Sequence, residues 1–435
     1  MSFKRYKTWL KGFLIATLIA LSSGVLYGAN MPAASEEPAL FEAVWETINE
    51  HFYDPNFNGV DWATTGAQYR SRVAQASSKS EQTALINTML SELNTSHTQL
   101  YTPDDPAYYQ LLGIFYPRVP AFKSQLEESF PDGEINYTGI GAITRKKGKK
   151  TFVQAVLNGS PADTAGLKAG DQILSVEGEP FEAIQSFLNK ADQPVNLQVQ
   201  STPNENSQRE ITVTPRIYDG ITMFIEAMDN SVEVIEKSGQ QIGYVHIWSY
   251  AGDQYHQLLE DELFYGRLKD ADALVLDLRD GWGGAQLDNL NLYTARGPSF
   301  TSTGRDREPV VHRGHWDKPV VMLVNEGSRS GKEILAYGFQ QYDIGPVVGV
   351  KTAGAVTAGR AFIMPDSSLL YVAVADVHME DNTRLEGVGI TPDVLVPFHH
   401  EYSQGVDPQK ERAIATAIKI IQGNPLQGNP LQSNS

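Results

Sequence analysis

With 435 residues, 41% of them hydrophobic and 20% charged, the chain is too long for one ordinary core and reads as a folded protein of two or three domains. Its formal charge is −17; the first thirty residues hold four of the 35 bases and no acid, so the rest carries 31 bases against 52 acids, or −21, which argues against a nucleic-acid partner. Cysteine is absent, which excludes disulfides, a lipid-modified cysteine, a thiol nucleophile and thiolate-ligated metal.

Lys4, Arg5, Lys7 and Lys11 precede the uncharged apolar run "GFLIATLIALSSGVLYGA". That is the layout of a secretory signal peptide, and the run is nearly long enough to span a bilayer. The residues around Gly28 and Ala29 lack a clean small-x-small cleavage pattern. Residues 1–30 therefore read as a signal peptide or an uncleaved N-terminal anchor. Either implies export to a periplasmic or extracellular setting, with membrane contact only through this segment.

Residues 38–115 read as an N-terminal helical subdomain. Phe41, Val44, Trp45, Ile48 and Phe52 recur at helical spacing, and "SEQTALINTMLSEL" repeats the pattern with Ser80 as its expected N-cap. The polar break "NTSHTQLY" follows, with His97 inside it. Proline and aromatic residues between 102 and 135 suggest loops or a short connector. Residues 137–217 alternate short β-rich runs with turn residues. Residues 221–420 alternate β-branched runs ("QIGYVHIWSY", "DALVLDLR", "PVVMLVN", "GPVVGV", "LLYVAVADV") with helical patterns, which suggests an α/β core with a largely parallel sheet. The repeat "GNPLQGNPLQ" in 421–435 reads as a disordered tail.

Ser330 lies between the apolar run "PVVMLV" and a helical pattern, and such a strand–helix corner suits either a nucleophile or an N-cap. Lys332 falls about 200° around the helix from Ser330 and reads as a solvated charge. Lys351 reads as a loop residue. An unshifted lysine is a poor base at neutral pH, whereas a histidine, ordinarily near 6.5, suits the task. His246 reads as a packed core residue. His312, His315 and the His399–His400 pair have no matching acid cluster, so no metal site is expected. Asp277 and Arg279 read as a structural pair at a sheet end.

Two resemblances sharpen these readings. "SPADTAGLKAGDQILSVEGEPF" is similar to the strand–helix–strand signature of PDZ domains, which implies a peptide-binding unit over 137–217. "TGIGA" then stands at the family's carboxylate-binding loop, with Gly139, Ile140 and Gly141 as contacts. Further on, "QIGYVHIWSY", "ALVLDLRDGWGG", "NEGSRSGKEI", "GPVVGVKTAG" and "LEGVGITPDV" occur in the order of the carboxyl-terminal processing, or tail-specific, serine peptidases. The chain resembles that family over roughly residues 38–420, which implies a ClpP/crotonase-like α/β core with an inserted PDZ domain. The resemblance makes Ser330 the nucleophile and Gly331 one oxyanion-hole amide. It puts the other amide at Gly283, with Gly284 as the alternative. The lysine many members use as base is replaced by Ala355. The tricorn-like branch of the family, which uses serine, histidine and glutamate, matches better: it implies His97 as base, oriented by Ser96 and Glu386, with Lys351 left as the other candidate. The expected function is that of an exported serine endopeptidase acting on protein or peptide substrates, recognised by a free C-terminus, with no cofactor. A catalytically inactive, peptide-binding scaffold is the alternative.

Overall fold

In the computed structural model, the described residues are 36–294, 300–305, 309–312 and 314–423. The expected signal or anchor over 1–30 lies outside them, as does the tail beyond 423. No helix among the described residues is long and apolar enough to cross a membrane.

The centre is a six-stranded sheet in the order Val394–Leu395, Val347–Gly349, Val320–Val324, Ala273–Asp277, Gln240–His246, Glu233–Lys237. All neighbours are parallel except the last pair. The strands read as continuous apolar runs because both faces are covered. Val245, Leu276, Met322 and Val324 pack on one side with Leu259, Leu335, Ala336 and Phe339 from helices Asp253–Phe264 and Gly331–Gln341. On the other side Tyr244, Val275, Val321 and Leu323 meet Ala413, Ile414 and Ala417 of helix Pro408–Ile421. At the sheet's end Arg279 donates to Asp277 and Asp407, tying the Ala273–Asp277 strand to that last helix, as the sequence suggested.

The strand Leu369–Ala375 is not part of this sheet. It pairs antiparallel with Ala358–Ile363 on one side and Gln99–Tyr101 on the other. Its Leu370, Val372 and Ala373 share a core with Phe41, Val44, Ile48, Ile86, Met89 and Leu90. The N-terminal helices are thus packed onto a hairpin from the far end of the chain. An apolar β-branched run has the same appearance in either sheet, which is why the sequence did not separate them. Helix Lys79–Ser91 is capped by Ser78, whose side chain accepts from Glu81 N, and not by Ser80. The 102–135 segment is more ordered than expected: Asp105 caps a helix Pro106–Phe115, a start signal that the proline content obscured.

Five antiparallel strands between Ala142 and Val213 form the inserted unit, pairing in sequence order around a core of Val153, Ile173, Leu197 and Val199. Its entry and exit strands, Asn136–Gly139 and Arg216–Asp219, pair with each other as a stalk. Gly139 belongs to that stalk. Ile140 is buried in the unit's core, with its carbonyl accepting from Ala162 N; the Gly141 carbonyl accepts from Leu157 N. Among the described residues the strand Ala142–Lys147 has one paired edge, leaving the other open to an added strand. The unit docks on the core through the 399–406 loop, where Tyr402 N donates to Gly170 O and the His400 ring meets Val153 O at 2.7 Å.

Candidate active site

Parallel α/β sheets place their functional loops beyond the C-terminal ends of the strands, and this one does so. The loop after Val324 leads to Ser330, which has φ 57° and ψ −129°, a left-handed conformation that a non-glycine residue rarely adopts. Surrounding bonds hold that turn. Ser330 N donates to Ala355 O at 2.8 Å. Glu333, one turn into the helix, accepts from Thr352 Oγ1, Gly354 N and Ala355 N at 2.6–2.7 Å and from Ser330 N at 3.2 Å. Glu333 is therefore the clamp between the Ser330 turn and the 352–355 loop.

The loop after Asp277 supplies the glycines. A Cβ on Gly283 would stand 2.6 Å from Ser330 Cβ and 3.0 Å from Gly331 N, so only glycine permits this approach. Neither the Gly283 nor the Gly331 amide donates to another protein group among the described residues. Tyr250 N holds the loop by donating to Gly283 O at 3.0 Å, and Trp282 N donates to Trp248 O at 2.8 Å.

Lys332 corrects the expectation of a solvated charge. It is fully buried, with Nζ donating to Asp280 O at 2.7 Å and Trp248 O at 3.3 Å. Burial pushes its ammonium down to about 7. A neutral amine has two N–H groups, matching those two acceptors. Helical geometry does turn Lys332 away from the cleft, but into the protein beneath the glycine loop. Lys351 is exposed and lines no part of the cleft.

His97 reaches the cleft from the opposite side, just before strand Gln99–Tyr101. It is 5% exposed, and its Nδ1 lies 2.7 Å from Ser96 Oγ. Ser96 Oγ in turn donates to Glu386 Oε2 at 2.9 Å. Because the Ser96 proton is committed to the carboxylate, Nδ1–H must be the donor to Ser96 Oγ, which leaves the Nε2 lone pair available. Glu386 also accepts from Ser96 N at 2.8 Å and Val356 N at 2.6 Å. Glu386 therefore orients the ring through Ser96, not by direct contact. Burial, together with the Arg329 guanidinium, pushes His97 down to about 3, keeping the imidazole neutral.

Ser96, His97, Gly283, Gly284, Arg329 and Ser330 line one cavity of about 230 Å³, walled by Tyr101, Leu111, Phe115, Trp282 and Tyr371. No direct hydrogen bond joins Ser330 to His97. Sequence reading missed Arg329 although it lies inside the serine motif; its signal was adjacency to Ser330. Among the described residues no group of three or more His, Cys, Asp or Glu is placed to hold a metal.

Three family models match: peptidase family S41 over residues 241–396, the tricorn protease C1 domain over 34–91 and a PDZ domain over 132–200. The S41 match spans most of the six-stranded core. A carboxyl-terminal-processing protease of Synechocystis sp. is 26% identical over 392 residues, covering 86% of this chain and 85% of that protein. A putative tricorn protease homolog 2 of Streptomyces coelicolor is 25% identical over 418 residues, covering 91% of this chain but 33% of that protein. The crystal structure of the tricorn protease superposes with a TM-score of 0.52 at 18% identity, over 89% of this chain and 37% of that one, which shows a common fold. The S41 core, its inserted PDZ domain and these relatives make the chain a serine-type peptidase.

Proposed function

We propose that this S41 peptidase is an exported endopeptidase that cleaves protein or peptide chains through an acyl-enzyme on Ser330. The observation that carries the reading is the Glu386–Ser96–His97 relay opening on the same cavity as the strained Ser330 turn. When substrate brings the two within hydrogen-bond reach, His97 Nε2 takes the Ser330 proton as Oγ bonds to the scissile carbonyl carbon. The resulting oxyanion is received by the Gly283 and Gly331 amides. The C–N bond then breaks, His97 gives its proton to the leaving amine, and water, deprotonated by His97, hydrolyses the ester. Glu386, through Ser96, stabilises the imidazolium during both halves.

The PDZ unit feeds this centre. Its open Ala142–Lys147 edge suits capture of an extended substrate, with Ile140 and Gly141, between the stalk and that edge strand, nearest a terminal carboxylate. Export rests on the basic-then-apolar segment at 1–30. An inactive scaffold has no support from the site: Ala355 removes the usual lysine, but its carbonyl secures Ser330 N, and His97 supplies the base.

Fluorophosphonate labelling tests the reading. We expect the purified protein to label at Ser330, and both Ser330→Ala and His97→Ala to abolish peptide cleavage. Retained cleavage in Ser330→Ala would refute it.

A further inference from the structure

Arg329 is an isolated cation in the cleft. Its guanidinium lies 5.4 Å from the Trp282 ring centroid, and among the described residues no carboxylate pairs with it. Trp282 is itself fixed, its indole N–H donating to Gln110 Oε1 at 2.8 Å. The other arginine of the cavity, Arg118, is occupied by the carbonyls of Ile114 and Ala251. Arg329 is felt by the buried walls: its charge acts on His97, Tyr101 and Tyr371 alike. The charge also works against the proposed chemistry, because it opposes the imidazolium that must form on His97. An anion bound at Arg329 would remove that opposition when His97 takes up its proton.

We propose that Arg329 is the specificity-determining residue of this cleft, taking a carboxylate of the substrate, either an acidic side chain or a free C-terminus, against the Trp282 face. This rests on the peptidase reading above. Guanidinium is the group best matched to a carboxylate by a two-pronged hydrogen bond. Since the bound carboxylate lowers the cost of charging His97, the preference falls on kcat as well as KM.

The experiment compares two peptide pairs with the full-length enzyme. One pair carries an internal Glu or Gln, both C-terminally amidated; the other has no internal acid and ends in a free acid or an amide. The readout is the acid-to-amide ratio of kcat/KM, which does not depend on absolute activity. We expect wild type to favour the acid about 10- to 100-fold in one pair, and that pair identifies the source of the carboxylate. Arg329→Gln should bring the ratio to near one; Arg329→Met serves the same comparison should the glutamine variant not fold. Equal cleavage of acid and amide by wild type overturns the proposal, as does a preference that survives both variants, which would place recognition elsewhere, for instance on the PDZ edge. Failure of the peptidase reading is distinguishable: Ser330 then does not label with fluorophosphonate, and this inference falls with it.

Discussion

Ser330, Gly283 and Gly331 sit on loops leaving adjacent strands of one parallel sheet, whereas Ser96 and His97 enter the cleft from a separate sheet shared by the chain's early and late segments. The first side is locally determined. Its loops start from neighbouring registers, its strained turn is clamped by Glu333 within the same helix, and its glycine loop rests on Lys332. The second side depends on partners far apart in sequence: Ser96 and Glu386 are separated by 290 positions. The proposed nucleophile and oxyanion hole can thus be carried by one rigid element, while the proposed base and acid are brought to it by tertiary closure.

Breaking either side completely should have the largest effect. Ser330→Ala and His97→Ala should each lower kcat by roughly four to six orders of magnitude, measured on a single peptide substrate. Glu386→Gln attacks the closure itself. It removes a charge and one acceptor from a group that serves Ser96 N, Ser96 Oγ and Val356 N, so a loss of about 10³ in kcat is expected, with circular dichroism as a check that the fold persists. Gly283→Ala probes the local side. Its Cβ would crowd Ser330 Cβ, and kcat should fall by about 10²–10³ while fluorophosphonate labelling slows in parallel. Lys332→Met leaves the Asp280 carbonyl without its donor and the Trp248 carbonyl with the Trp282 amide alone, which should cost about 1–3 kcal/mol in denaturant unfolding and lower kcat more than it raises KM.

A separate effect, on stability and not on rate, is pH dependence. His97 is held below its ordinary 6.5, down to about 3, so the unfolded chain binds a proton that the folded one refuses. Stability present above 6.5 is therefore lost as pH falls toward 3, by up to about 1.4 kcal/mol per pH unit from this group. His97→Gln should flatten that slope in urea titrations. His246, also buried and lowered, should keep part of it in the variant.

These two sides also differ in what the sequence disclosed. The β-branched runs around 273–277 and 320–324 and the serine motif are contiguous, so the sheet, the nucleophile turn and the glycine loop could be read from short windows. His97 and Glu386 could be named only through family order, because nothing in "TSHTQLY" or "RLEGVGITPD" signals the other. The burial of Lys332 was invisible for a related reason. Helical phase shows that it turns from Ser330, but whether it meets solvent or the underside of another loop depends on the Asp277–Gly284 segment packing there. Leu369–Ala375 was assigned to the wrong sheet because its composition is that of a central strand wherever it pairs.

The pairing of Gln99–Tyr101 with Leu369–Tyr371 also has a bearing on time. Bringing such distant segments together is the slow part of a folding reaction, since chain entropy is lost before any contact compensates for it. The six-stranded sheet can assemble from successive crossovers, but placing the histidine requires the strand Gln99–Tyr101 to find a hairpin from near the other end of the chain. On the proposed roles, Ser330 would lack its base until that pairing forms, and peptidase activity would be the last property the folding chain acquires.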